Sequence, residues 1–217
     1  MAEAQLKETP TEAMIARHSL PQGGWSRAAR EDALARVRAM GLPQRRDEYW
    51  KFTRPDTLTQ AEAQPAAIFD HGDAPLFDGT DRLRIVFVDG VFDAEASDDL
   101  TLEGVSIERL AAADSDLHWA RDLYGTLEKN GQTPVQRPLA ALNTAFATDG
   151  VLIHVTGQPS KPINLVYTHK SETSDAMLHH VVKLDRGAEV TLLENGPAAA
   201  RFNTVMEVEV ADTARFH

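Results

Sequence analysis

The chain has 217 residues, enough for one large domain or a small domain attached to a larger one. Its 42% apolar content can supply a core, and a net charge of −11 argues against a surface built to neutralise nucleic-acid phosphate. The absence of cysteine excludes disulfides, zinc–thiolate centres, a cysteine nucleophile and an iron–sulfur cluster held by this chain's own thiolates.

The chain opens on a helical pattern. Thr9-Pro10-Thr11-Glu12 combines a cap residue, a proline at the first helical position and a glutamate three residues after the cap. A short helix is expected from there to about His18, interrupted by Leu20-Pro21 and Gly23-Gly24. A second helix should follow Ser26, with Ala29, Ala33, Val37 and Met40 on one face and Gly41 and Pro43 at its end. Arg27, Arg30, Glu31, Asp32, Arg36 and Arg38 fall on the side expected to be wet. Residues 41–53, reading GLPQRRDEYWKFT, then set three aromatics beside two arginines and two acids. A helical turn there would place Arg46 on Trp50 and Asp47 on Lys51. Tyr49, Trp50 and Phe52 are expected to anchor the helical region to the rest of the core, because large aromatic groups normally bury their area. Residues 57–75, rich in Ala, Gln, Asp and Pro, read as an exposed connection containing at most one short helix.

From Leu83 the period changes to that of a strand. Residues 83–88 run into Asp89-Gly90, a hairpin turn signal, and then Val91-Phe92. Val105-Ser106-Ile107 predicts a further short strand, and helical spacing returns in Leu117, Ala120, Tyr124 and Leu127, closed by Asn130-Gly131. A helix over 137–147 puts Leu139, Leu142 and Phe146 together and ends at Asp149-Gly150. Beyond Gly150, β-rich runs at 151–155, 163–168, 178–184, 188–193, 204–210 and 214–217 are separated by Gly, Pro, Asn and Asp. Val182, Leu184, Ala188 and Val190 recur 26 residues later as Val208, Val210, Ala214 and Phe216. That spacing suits one coil of a β-solenoid, and an antiparallel sandwich is the rival.

Residues 41–53 resemble the N-terminal signature of the SufB/SufD family of iron–sulfur cluster assembly proteins. Family-like passages follow in order at Phe87-Val88-Asp89-Gly90, at Leu142-Asn143-Thr144-Ala145-Phe146 leading to Asp149-Gly150, and at Gly187-Ala188-Glu189-Val190. The resemblance covers residues 41–217 and implies an α+β, mainly β fold. It has a helical N-terminal region with a β-hairpin, followed by the first coils of a right-handed parallel β-helix. The corresponding organisation is 1–80 helical region and linker, 81–149 hairpin and helices, and 150–217 β-helix. The resemblance implies a non-catalytic scaffold subunit in a SufB–SufC–SufD complex, with SufB and SufC as partners. Those family contacts lie mostly in later segments, so no partner-binding residue is assigned. The sequence stops inside the predicted β-helix, and its last coil is expected to fray or self-associate.

No catalytic, cofactor-binding or metal-binding residue is assigned, and no cofactor is expected on this chain alone. P-loop, Rossmann, H-E-x-x-H and G-x-S-x-G motifs are all missing. The histidines 154, 169, 179, 180 and 217 cluster in the β-rich half, but adjacent His179 and His180 must point to opposite faces of a strand. His154 and His180, 26 residues apart, could stack on successive coils; all five are expected to be solvated or hydrogen-bonded on a coil surface. Carboxylate pairs such as Asp98 with Asp99 and Glu207 with Glu209 are expected to be solvated acids of an acidic chain. With no apolar run long enough for a bilayer and no signal pattern at residues 1–12, a cytoplasmic location is expected. No nucleic-acid or membrane partner is expected, and the alternative functions are a carbohydrate-acting β-helix enzyme and a stand-alone acidic interaction module.

Overall fold

Helical and strand periods each sort the apolar residues of this chain to one side, and a computed structural model shows how those sides meet. It describes residues 2–21, 24–68, 76–113, 115 and 117–217, with residues 2–8 described as backbone only. Gly23 and residues 69–75 of the expected connection therefore lie outside the described residues.

Helix α1 spans Ala2–Ala16, so it starts well before the expected cap, and Pro10 lies inside it. The proline removes one hydrogen bond. Thr9, the expected cap, therefore lies within the helix, and Thr11 is buried, its Oγ1 accepting from Leu42 N at 3.0 Å. Helix α2, Arg27–Met40, has the expected start after Ser26 and stop at Gly41, with Ala33 and Val37 fully buried. Arg30 corrects the expected wet face, because it is buried. Its guanidinium donates to Ser26 Oγ, Ala145 O and Ala147 O at 2.9–3.2 Å and lies over the Tyr124 ring. Residues 41–53 form only a 3-10 turn at Glu48–Trp50, followed by α3 at Asp56–Thr59.

Strands β1 (Leu83–Val88) and β2 (Val91–Asp93) form the expected hairpin, with Val88 opposite Val91. Asp89 and Gly90 both have positive φ, 49° and 80°, the backbone that a two-residue turn between twisted strands requires. Strand β3 is Val105–Arg109. The single helix expected over 117–130 is instead a 3-10 segment, Trp119–Asp122, and a short α4, Thr126–Asn130, broken at Gly125. Ala120 and Tyr124 are buried as their spacing suggested, but Leu117 and Leu127 are exposed. Helix α5, Pro138–Phe146, packs Ala141, Leu142 and Phe146 against Met14, Ala33 and Val37.

Beyond it come β4 (Val151–Val155), β5 (Ile163–Thr168), β6 (Asp175–Leu184), β7 (Glu189–Val190), β8 (Leu192–Asn195), β9 (Arg201–Val210) and β10 (Arg215–Phe216). The expected run at 188–193 is thus two strands. The strands form three sheets, ordered β2-β1-β5-β8, β3-β4-β6-β9 and β7-β10. The pairs β1–β5, β4–β6, β5–β8, β6–β9 and β7–β10 are parallel; β1–β2 and β3–β4 are antiparallel. The fold is therefore α+β with mixed sheets. Val182 lies beside Val208, Leu184 beside Val210 and Val190 beside Phe216, the 26-residue offset of the sequence echo. Between β4 and β6, and between β5 and β8, the offset is 29.

The core between the sheets contains Leu83, Ile85, Phe87, Ile153, Leu165, Leu178, Val182 and Val190. Leu192, Phe202, Met206, Val208 and Phe216, on β8, β9 and β10, are only partly buried against it. Among the described residues no helix is long and apolar enough to cross a membrane.

Candidate functional site

Strand β6 carries adjacent histidines, and the two-residue period turns them to opposite sides as expected. Their surroundings correct the expectation of surface histidines, since both are fully buried. His180 points between the sheets, beside Phe87 and Tyr167. Its Nδ1 accepts from Val151 N at 3.1 Å, and its Nε2 lies 3.2 Å from the Tyr167 hydroxyl, which donates to Glu194 Oε1 at 2.7 Å. This chain of donors needs a neutral ring protonated on Nε2. Burial, with a smaller contribution from His179, pushes the His180 pKa down to about 3. The Tyr167 hydroxyl is pushed far above its ordinary value, first by burial and then by Glu194.

His179 points the other way, towards α4 and α5. Its Nδ1 is 3.0 Å from Asn143 Oδ1 and its Nε2 is 2.8 Å from Glu207 Oε2. Burial lowers its pKa, with Glu207 opposing. Glu207 corrects the expectation of a solvated acid: it is 3% exposed. It also accepts from the backbone of Gly125 at 2.5 Å and of Glu128 at 2.9 Å, and so holds the first turn of α4 on β9. Glu128 in turn accepts from Thr144 Oγ1 at 3.0 Å and pairs with Arg36, whose other partner is Asp32. Asn143 Nδ2 donates to Leu178 O and Asn203 O at 3.0 and 2.8 Å, tying α5 to two strands. The arrangement pins helices to sheet. Its acid and base are closed off from solvent, so no substrate reaches them.

The remaining histidines do not converge. β4 and β6 are offset by 29 residues, so His154 lies beside Lys183 rather than His180, and its Nε2 is 2.9 Å from Asp185 Oδ1. His169 is buried against Ser171 O, and His217 is at the surface, 3.6 Å from Glu189. Among the described residues no group of three or more His, Asp or Glu is placed to hold a metal ion. Asp98 is held by Arg84, whose hydrogen bond keeps its carboxyl below the usual range, and Asp99 accepts from Thr101 N.

Residues 41–53 depart furthest from expectation. Tyr49 is 67% exposed and Phe52 92%, and Trp50 is half-buried, so they do not anchor the core. Lys51 pairs with Glu48 rather than Asp47, which accepts from Gln44 N and tightens the turn. Neither the buried network nor these exposed aromatics were singled out by strand or helix period, which says which residues alternate but not what covers the outer face. Glu207 sits in the alternating run Met206-Glu207-Val208-Glu209-Val210, where acid on the outer face normally means solvent.

No family model and no curated protein matches the chain.

The His180 geometry has a consequence for stability. A histidine whose folded pKa lies below its unfolded value of 6.5 contributes stability above pH 6.5 that is lost as pH falls towards about 3. Unfolding by urea at pH 5 rather than pH 7 is expected to show a loss of about 2 kcal/mol from this residue alone. His179, also lowered, acts in the same direction. His180→Asn should flatten the pH dependence by that amount, whatever it does to stability at pH 7. An unchanged slope would contradict the buried neutral ring.

Proposed function

We propose that the chain belongs to SufD, the cytoplasmic scaffold subunit of a SufB–SufC–SufD iron–sulfur cluster assembly complex, and is non-catalytic by itself. The observation that carries this reading is the parallel, in-register stacking of β4 on β6 on β9, with β5 on β8 and β7 on β10. In this reading β4–β5, β6–β8 and β9–β10 are successive coils of a right-handed parallel β-helix, and α1, α2 and α5 form the family's helical N-terminal region.

The family-like passages fall at joints of the fold, which supports a shared architecture rather than chance matches. Asp89-Gly90 makes the β1–β2 turn, Asn143 clamps α5 to β6 and β9, and Asp149-Gly150 leads into β4. Gly187-Ala188 forms the corner before β7. The carbohydrate-enzyme alternative has no comparable support, because Glu207 is buried and Asp98 is ion-paired.

Within the complex the chain supplies fold and interface. SufC supplies ATP hydrolysis, and SufB or the surface between subunits holds the nascent cluster, whose iron and sulfide are substrates. The partly buried apolar residues of β8, β9 and β10 are the surface offered to a further coil or subunit.

Affinity capture of the tagged product of the full reading frame, coexpressed with SufB and SufC, tests this proposal. Both partners should be retained in a defined ratio that survives gel filtration. Recovery of neither would overturn it.

A further inference from the structure

Large aromatic side chains left in water are a cost that a folded chain normally removes by burial. Tyr49 and Phe52 keep that cost although the core lies close by through Leu42 and Leu139. Their surroundings are unusual in an acidic chain. Between Gln44 and Arg54 four basic residues, Arg45, Arg46, Lys51 and Arg54, outnumber the acids Asp47 and Glu48. Lys51 is engaged by Glu48 and the Phe52 ring. Arg45, Arg46 and Arg54 are exposed and, among the described residues, have no ion pair.

The turn at Glu48–Trp50 faces the segment that leads into α5. Tyr49 and Trp50 form a ridge between two grooves of about 400 and 530 Å³, whose opposite wall is Gln136 and Pro138. The first groove is lined by apolar Val135 and Leu139 and carries Arg137; the second carries Arg46 together with Asp47, which accepts from Gln44 N, and Glu48, which pairs with Lys51. Arg137 is exposed, and its guanidinium makes no ion pair among the described residues. A guanidinium thus stands in each groove with an aromatic ridge between them.

We propose that this face is a docking surface for an extended acidic segment of a partner protein, which seats an apolar side chain beside Trp50 and sets carboxylates on Arg46 and Arg137. Charge decides the occupant. A cationic or neutral segment would leave the arginines unused, whereas carboxylates meet their planar forks in pairs. The aromatics supply the anchoring area that recognition surfaces concentrate in Tyr, Trp and Arg. A nucleic acid would also satisfy cations and rings, but its phosphates would meet the field of a chain with a net charge of −11. This inference does not rest on the SufD assignment.

The test is fluorescence anisotropy with a labelled peptide of about twelve residues, rich in Asp and Glu and containing one Leu and one Trp. The same peptide with Ala for Leu and Trp, and a single-stranded oligoadenylate of equal length, serve as comparisons. The acidic peptide should bind saturably and weaken about tenfold between about 50 and 300 mM NaCl. Arg46→Glu and Arg137→Glu should each weaken it about fivefold or more, and the Ala peptide should bind at least about threefold less well. Arg46→Gln and Arg137→Gln, whose melting should match the parent, separate lost charge from lost fold. Absence of saturable binding, equal binding by the arginine variants, or tighter binding of the oligoadenylate would each overturn the proposal.

Discussion

Gly150→Ala is expected to destabilise the protein by more than about 4 kcal/mol, the range reserved for direct steric conflict or buried polar loss. A methyl group at this position would sit 1.9 Å from the carbonyl oxygen of His179 and 2.6 Å from its carbon. Those are backbone atoms of β6, so no side chain can rotate away. Gly150 also has φ of 155°, which an L side chain rarely adopts. Its carbonyl accepts from Leu110 N, and the neighbouring Asp149 carbonyl accepts from His179 N, so the close approach is held from both sides. Relief would require β4 and β6 to part, carrying the His180 network with them. A total stability of roughly 5–15 kcal/mol leaves little after such a loss. Gly79→Ala is the control, since nothing lies within 4 Å of its added carbon. It should melt within about 1 °C of the parent, while G150A is expected to be recovered largely unfolded. A G150A protein with parental melting would contradict the strand contact.

Glu207→Ala is expected to cost about 3–5 kcal/mol and lower the melting temperature by about 10 °C or more. The substitution deletes the acceptor for three donors at once: Gly125 N, Glu128 N and His179 Nε2. All three sites are enclosed, so water does not readily replace the carboxylate, and an unmade buried bond costs more than a made one contributes. Glu207→Gln should be milder, because one amide oxygen still serves a donor. Hydrogen exchange adds a local reading. In E207A the amides of Gly125 and Glu128 should lose protection while those of β1 and β5 keep theirs. A variant within about 1 kcal/mol of the parent would show that the carboxylate does not hold α4 to β9.

Much of the strand layout was legible because its signals are local. Asp89-Gly90 accepts positive φ at both positions, so the hairpin could be read from two residues. The boundaries of β4 and β5 follow from β-branched runs bracketed by Gly, Pro and polar turns. The 26-residue echo was readable because stacked strands bury equivalent side chains on the same side, and it reappears as the β6–β9 register. The 29-residue offsets nearer the start were not readable, since corners of different length blur the repeat there.

The candidate sites were legible only in part. Arg30 lies on the helix side that amphipathic spacing gives to solvent, but the carbonyls of Ala145 and Ala147 at the end of α5 take it in. Glu207 is outward on its strand, and only the packing of α4 and α5 over that face buries it. The aromatics at 49, 50 and 52 failed for the opposite reason. Composition says that such groups are usually inside, whereas the short turn at Glu48–Trp50 leaves Tyr49 and Phe52 outside.

The parallel register of neighbouring strands underlies the fold and the proposed function alike, and an engineered disulfide tests it most directly. The chain has no cysteine of its own, so a pair introduced at Lys183 and Glu209 reports on that contact alone. These residues are register partners in β6 and β9, and the side chains they replace lie 3.8 Å apart as an ion pair. K183C/E209C should form an intramolecular disulfide on mild oxidation, while K183C/T204C, about five residues out of register and some 15 Å away, should not. A bond in the second pair and none in the first would contradict the parallel stacking and, with it, the reading of this chain as a coiled scaffold.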